Sequence, residues 1–296
     1  MKMIKEVISV LFSGHTIGQK INYIKYLLAQ RAERLSYDPI TISIVGTTRC
    51  TLSCDMCPTH SGRVPDDYSH KQRNAKDIDL GMFKEIIDRF KNATTVHIIG
   101  SGEPLLNKDF FQMVDYAAGK KMTVKTFSNG TTIKENIGRI LDSKLDGITI
   151  SLNGHDAKEF VRITGMNGKA YDEIRDAVKL LIDQKKKRGS KVLVKLSFII
   201  DRENYGSIPA MVEAGMKLGA DHIFFCNFLP APFSGLRAEQ RALFADLKLK
   251  KELSGIFGGF PPEVRKKLTP PVLINRDSKG NKCRIHFLQI RFDGDG

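Results

Sequence analysis

Cys50-Thr-Leu-Ser-Cys54-Asp-Met-Cys57 decides how this chain is read. The stretch is CxxxCxxC, and it lies just past Ile40-Thr-Ile-Ser-Ile-Val45, an alternating apolar run that reads as a strand. Gly46-Thr-Thr-Arg49 between them reads as a turn. Three thiols therefore gather on a short loop at the C-terminal end of a strand, where the sulfurs can converge and leave a fourth coordination position open. Open positions are where metal centres do chemistry, whereas closed ones are mostly structural. Two metals compete for the loop. Cys50, Cys54, Cys57 and His60 suit zinc as a set of three thiolates and an imidazole. The three cysteines alone suit an iron–sulfur cluster with one iron left free.

Outward from the loop, one pattern repeats. A polar stretch over 66–77 reads as a long exposed loop near the cysteines, followed by a helix over 82–91 with Met82, Phe83, Ile86, Ile87 and Phe90 on one face. A strand over 96–99 ends in Gly100-Ser-Gly-Glu-Pro104 and leads to a helix over 109–119. A strand over 122–127 ends in Ser128-Asn-Gly130, and Thr132-Ile-Lys-Glu135 reads as the capping box of the next helix. A strand over 147–152 ends in Asn153-Gly154, before a helix over 171–188. A strand over 191–200, a helix over 208–218 closed by Gly219, and a strand over 222–225 complete six units. Such alternation of apolar strands and amphipathic helices predicts an α/β fold: a parallel sheet with helices outside, as an open doubly wound sheet or a partial (β/α)6 TIM-like barrel. In both, active residues collect at the C-terminal ends of strands. The unusual polar residues fall there repeatedly: the cysteines, Ser101-Gly-Glu103, Ser128-Asn129, and Ser151 with Asn153. A structural zinc loop calls for no such convergence, so the whole pattern favours the open iron–sulfur centre.

Composition sets outer bounds. The chain has 296 residues, 41% hydrophobic and 27% charged, an ordinary balance for a water-soluble fold large enough to need no disulfide staples. Five cysteines, an odd number with three clustered, fit a reducing compartment and metal binding, so a cytoplasmic location is expected. The formal charge of +14 comes from lysines and arginines spread along the chain, with runs at Lys185-Lys-Lys-Arg188 and Arg265-Lys-Lys267. They read as solvated faces. No aromatic-rich basic platform accompanies them, which argues against nucleic acid as a partner. The N-terminal Met1-Lys-Met-Ile-Lys-Glu-Val-Ile8 run is interrupted by charge and has no cleavage site, so it reads as an amphipathic helix, not a secretory signal. Ile21, Ile24, Leu27 and Leu28 mark a second helical stripe for packing. No stretch approaches the ~20 apolar residues of a membrane span.

From Ile40 to Phe225 these residues resemble the radical S-adenosylmethionine (SAM) superfamily. Cys50, Cys54 and Cys57 match the motif that holds its [4Fe–4S] cluster, and Ser101-Gly-Glu-Pro104 matches its GGEP segment, which contacts the SAM amino group. Ser151-Leu-Asn153 is similar to its ribose-side pair, with Asn for the commoner Asp. The resemblance also places Gly102, Glu103, Ser128 and Arg162 (the last near the SAM carboxylate) around the cofactor, with Met56 in the apolar position over the adenine. It implies reductive cleavage of SAM to a 5′-deoxyadenosyl radical that abstracts hydrogen from a peptide, protein or small-molecule substrate, with peptide or protein modification preferred. An electron donor such as flavodoxin or ferredoxin would be a partner. The alternative is a non-catalytic zinc or iron–sulfur module that binds a partner or senses redox state.

The rest divides at 1–38, a helical lead-in, 39–235, the partial barrel, and 236–296, a C-terminal region. In the last, 236–253 reads as one helix, 285–292 as a strand and Asp293-Gly294 as a hairpin turn. Cys283, that strand and the turn look like the opening of the SPASM or twitch extension of a radical SAM subgroup. The resemblance implies a chain cut short at its C-terminus, with Cys283 a ligand of an auxiliary iron–sulfur cluster. Cys226, directly after the sixth strand, reads either as facing the barrel mouth or as a small apolar packing residue, with packing preferred because free cysteines are often buried.

Overall fold

Strands that are apolar on alternate residues, joined by amphipathic helices, bury most surface when the helices lie over one face of a parallel sheet. The computed structural model, which describes residues 8, 10–29, 36–68, 75–231, 233, 238–274 and 289–292, has that arrangement. After helix α1 (Ile17–Leu28), strand β1 (Thr41–Thr47) leads through the cysteine loop to α2 (Leu80–Arg89). There follow β2 (Thr95–Gly100), α3 (Phe110–Gly119), β3 (Thr123–Ser128), α4 (Ile133–Asp142), β4 (Gly147–Ser151), α5 (Ala157–Thr164) and α6 (Gly168–Arg188). Then come β5 (Leu193–Ile200), α7 (Ile208–Leu218) and β6 (His222–Asn227). The C-terminal part adds α8 (Ala238–Arg241), α9 (Leu247–Gly258), α10 (Pro262–Arg265), β7 (Leu268–Thr269) and β8 (Gln289–Phe292). Every pairing is parallel, in the order β7-β6-β5-β4-β3-β2-β1-β8. Among the described residues β7 and β8 do not pair, so the sheet is open, as a partial barrel requires.

Period-two alternation sorts the two faces. Ile42, Ile44, Val96, Ile98, Val124, Ile148, Ile150, Val194 and Leu196 are fully buried on the helix-covered face, in one cluster with Phe83, Val114, Ile140, Val178 and Met211 of the helices. Burying each such side chain is worth about 1.5–3 kcal/mol, so this face carries the fold. The other face presents Ser43, His97, Lys125, Thr149 and Lys195 on successive strands. It is concave. Strands β3 and β6 are three places apart, about 14 Å in a flat sheet, yet the rings of Phe127 and Phe224 lie 6.3 Å apart. Asp146 and Asp221 close the lower ends of the ladder: each precedes a strand and accepts a backbone N–H, from Val124 and Val194 respectively, at 2.7 Å.

Four local expectations are corrected. Thr132 makes no cap bond to α4; its hydroxyl points to Glu103 instead. Helix α5 was not expected, although Asp156 caps its start, accepting from the Glu159 N–H at 2.7 Å, and Gly165 ends it at φ 72°. The single helix expected over 236–253 is broken. Asn227 accepts the Leu243 N–H, Ile274 bonds both Leu243 and Ala245, and Asp246 then caps α9, so 242–246 is held extended. In α1, Ile21 and Leu28 are exposed while Gln19 and Asn22 are buried. Their amides donate to the carbonyls of Lys91, Lys120 and Asn92, which lie beyond the ends of α2 and α3, where helix carbonyls lack intrahelical partners.

Across the boundary expected near 235 the core continues, since Leu243, Leu249, Leu253, Phe257 and Leu268 belong to the same cluster as the barrel. In the last segment, Gln289–Phe292 lies parallel to β1, with Gln289 donating to Ser43. Cys283, the expected turn at Asp293-Gly294 and residues 69–74 lie outside the described residues. No helix among the described residues is long and apolar enough to cross a membrane.

Candidate active site

The end of β1 sets the first wall of the site. Thr47 Oγ1 donates to Asp77 at 2.5 Å, and the Arg49 guanidinium takes the same carboxylate through Nε and Nη2 at 3.1 and 2.6 Å. Arg49 Nη2 also donates to the Leu106 carbonyl, so the loop that begins at Cys50 leaves the strand from a fixed point. The Glu103 N–H donates to the Arg49 carbonyl at 2.7 Å. Gly102 makes that approach feasible: a Cβ there would stand 1.8 Å from the Arg49 carbonyl oxygen. The segment after β2 is thereby pressed against the cysteine loop.

Glu103 is buried without exposure. Its carboxylate accepts from Ser128 Oγ at 2.9 Å, from the Asn129 N–H at 2.6 Å and from the Leu105 N–H at 3.3 Å. Burial pushes the acid up to about 6, against the pull of those hydrogen bonds. Glu103 thus sets the turn after β3, and the turn in turn reaches the cysteines: the Asn129 amide donates to Cys50 Sγ at 3.5 Å and to Thr51 Oγ1 at 3.0 Å. Three strand ends are tied together by named bonds.

The second half of the loop is held from the other side. The Asp55 N–H donates to the Thr164 carbonyl, which seats the loop on the end of α5. Cys57 Sγ accepts the His60 N–H at 3.3 Å and touches Thr59 Oγ1 at 3.2 Å, while Thr59 donates to the Ser101 carbonyl. His60 Nε2 lies 2.7 Å from the Thr48 carbonyl and its Nδ1 lies 3.8 Å from Cys57 Sγ, so the imidazole braces this sulfur and the strand end at once.

The three half-buried thiols act on one another. Cys54 is pushed up to about 12, first by burial and then by the charges of Cys57 and Cys50. Burial also raises Cys50. For Cys57 burial pulls upward too, but hydrogen bonds from His60 and Thr59 outweigh it and bring the thiol down to about 7. Among the described residues no three His, Cys, Asp or Glu side chains close on one metal position. The fit therefore rests on donor chemistry. Cys50 and Cys54, which resist ionising, are what a bound cation relieves, Cys57 is already eased toward thiolate, and iron–sulfur clusters take thiolate ligands with hydrogen bonds to sulfur tuning them. The set Cys50, Cys54 and Cys57 fits such a cluster, with Asn129 and His60 as its supports.

The remaining predicted residues fall in two groups. Ser101, Gly102, Glu103 and Ser128 belong to the bonded wall just described. Ser151 ends β4, and Asn153 follows in the left-handed region at φ 57°, which Asn tolerates. Asn153 is buried, its N–H donates to the Ser197 carbonyl, and its side-chain amide makes no hydrogen bond among the described residues. Met56 sits within the cysteine loop, half-buried. Arg162 stands apart. Its guanidinium is taken by Glu159, Asp201 and Glu203, the ion-pair role that an arginine on a helix surface would also have. Asp201, fully buried, binds Arg241 as well. Sequence reasoning did not single out Asn129 as a cysteine support, nor Thr59. Their roles are contacts between chain segments, which spacing does not encode. Cys226, half-buried on β6, alternates with the buried Ile223 and Phe225 and so lies on the concave face with His222 and Phe224; burial raises its thiol.

The fold has solved counterparts. SuiB from Streptococcus suis, in crystals bound to S-adenosylmethionine, superposes with a TM-score of 0.65 at 17% identity, covering 94% of this chain and 63% of that one. SuiB has also been solved bound to the precursor peptide SuiA. Mycofactocin maturase MftC from Mycolicibacterium smegmatis is 26% identical over 195 residues, 65% of this chain and 46% of MftC. A probable GTP 3',8-cyclase from Saccharolobus islandicus is 26% identical over 193 residues, 64% of this chain and 57% of the cyclase. The chain thus spans about half the length of these curated relatives. The sequence profile described as the radical SAM superfamily matches residues 44–214. Since that match takes in more than half of the chain and runs from β1 past every strand end tied together above, the chain belongs to the radical SAM superfamily.

Proposed function

We propose that this chain is the barrel portion of an enzyme that cleaves SAM reductively and directs the resulting hydrogen abstraction at a peptide or protein. The observation that carries the reading is the bonded wall: Glu103 joined to Arg49, Ser128 and Asn129, with Asn129 joined to Cys50. It fixes the thiolates and the segment after β2 as one unit. Cys50, Cys54 and Cys57 would hold a [4Fe–4S] cluster, which supplies the electron that breaks the SAM sulfonium bond. Ser101 and Gly102 place main-chain polar groups beside the loop, and Ser128 keeps Glu103 in position. Ser151 and the open amide of Asn153 offer hydrogen bonds to the ribose side, and Met56 offers an apolar surface to a base. Arg162 is left out of this set, because its guanidinium is already shared among three carboxylates.

The peptide assignment draws on the precursor-peptide complex of SuiB and on the maturase name of MftC. A cytoplasmic setting with a low-potential donor such as flavodoxin or ferredoxin, and an auxiliary cluster using Cys283, belong to the same proposal. The test is anaerobic reconstitution with iron and sulfide, reduction in the presence of SAM, and assay of 5′-deoxyadenosine. Release that vanishes in Cys54→Ala is the expected result. Tight zinc without SAM cleavage would instead establish a metal-binding module.

A further inference from the structure

Below the cysteine loop the concave face of the sheet encloses a cavity of about 700 Å³ whose walls are basic. His97 on β2 pairs in register with Lys125 on β3, and Lys195 on β5 pairs with His222 on β6. Gly147 on β4 lies in register beside Lys125 and adds no side chain there, whereas Thr149, two residues on, stands in register between Phe127 and Lys195. Phe127, level with Lys195 through Thr149, meets the ring of Phe224 edge to face. Of the three lysines on the wall, Lys125 and Lys195 rise from the sheet, and neither makes a hydrogen bond or ion pair among the described residues. The one acidic residue on the wall, Asp146, is committed to the Val124 N–H.

The groups oppose one another. Burial, then Lys195, lowers Lys125, and Asp146 only partly offsets this. Burial, then Lys125 and Lys195, brings His97 down to about 4, and burial with Lys195 lowers His222. Half-buried ammonium groups without counter-ions are costly, and a ligand of opposite charge removes that cost.

We propose that this well binds a side-chain carboxylate of an acidic residue in the peptide substrate. The inference rests on the peptide reading of the site above. The ammonium groups of Lys125 and Lys195, with exposed Lys191 also on the wall, meet the charge, and Phe127, Phe224 and Leu193 line the walls against which an aliphatic stem lies. Phosphate is a poorer match: it is usually met by arginine forks or by loops of free backbone N–H groups. Here the strand amides are spent on the parallel ladder.

The experiment measures binding of a fluorescein-labelled tetraglutamate peptide to the reconstituted full chain by anisotropy, with tetraglutamine as the neutral control. Tetraglutamate binds and tetraglutamine does not. Lys125→Met and Lys195→Met each weaken binding by about tenfold or more, as loss of a charge-assisted hydrogen bond implies. Lys195→Arg restores most of it. The unfolding temperature of the Met variants does not fall, because one of two half-buried charges that repel each other is gone. Lys250→Met, on the exposed face of α9, leaves binding unchanged. Equal weakening by Lys250→Met, or indifference to both lysine substitutions, overturns the proposal in favour of general surface charge. Pyrophosphate that binds through both lysines while tetraglutamate does not overturns the carboxylate assignment. SAM cleavage without peptide binding sinks this inference alone; peptide binding without SAM cleavage sinks the proposed reaction and leaves the well.

Discussion

At Gly102 a single hydrogen atom in place of a methyl group decides whether two loops can touch. The position beside the Arg49 carbonyl has no room for a Cβ, and the obstacle is backbone, which no rotamer change relieves. Gly102→Ala should cost about 1–3 kcal/mol and push the cysteine loop away from Glu103. Thermal unfolding and iron bound per chain after reconstitution should both fall. Glu103 itself has a pH signature. Its folded acid is raised from 4.5 to about 6, so the folded state holds the proton more tightly than the unfolded chain does. The stability from this group is complete below pH 4.5 and is lost as the pH climbs through about 6. That shift amounts to about 2 kcal/mol. Denaturant titrations of the wild type across this window should lose that much relative to Glu103→Gln, in which the step is absent.

Among the elements, caps separate what spacing can reveal from what it cannot. Thr132 and Glu135 have the sequence of a capping box, but Thr132 turns to the buried Glu103 and the bond is not made. Asp156 was overlooked, yet it caps α5. Asp156→Ala should therefore cost about 1 kcal/mol, and Thr132→Ala less than half of that, in chemical unfolding of the two variants side by side. The six strand–helix units were legible because the strands are runs with apolar residues that stop at a small or polar residue (Gly, Ser, Asn or, after β5, Asp201), and each major helix has a clean apolar stripe. Helix α5, at eight residues, is too short for its stripe to stand out. The break at 242–246 is set by Ile274 and Asn227, partners distant in sequence. The site divides likewise. The cysteines and Ser101-Gly-Glu103 stood out by spacing, whereas Asn129, Thr59 and the ion pairs of Arg162 depend on which segments the fold brings together.

For the whole molecule, the open sheet means that each edge is a liability until something covers it. On one side β8 takes the edge of β1, and on the other β7 takes that of β6. A chain ending after Ile274 loses the first of these covers and exposes the strand that carries the cysteine loop. Its unfolding temperature should fall by several degrees, and light scattering should rise with protein concentration, while the full chain stays dispersed.

On β3 Phe127 stands two residues beyond Lys125 and its ring meets Phe224 edge to face, so a chain reaching from the well to the strand ends has to pass beside this pair. On β3, Lys125 and the cysteine-supporting Asn129 are four residues apart, about 13 Å along a strand. An anion held at the lower level would therefore act as the zero mark of a ruler. Regiochemistry would follow from length: the carbon presented to the radical end is the one that lies this span from the anchored charge, whatever the chemistry of the residue that bears it.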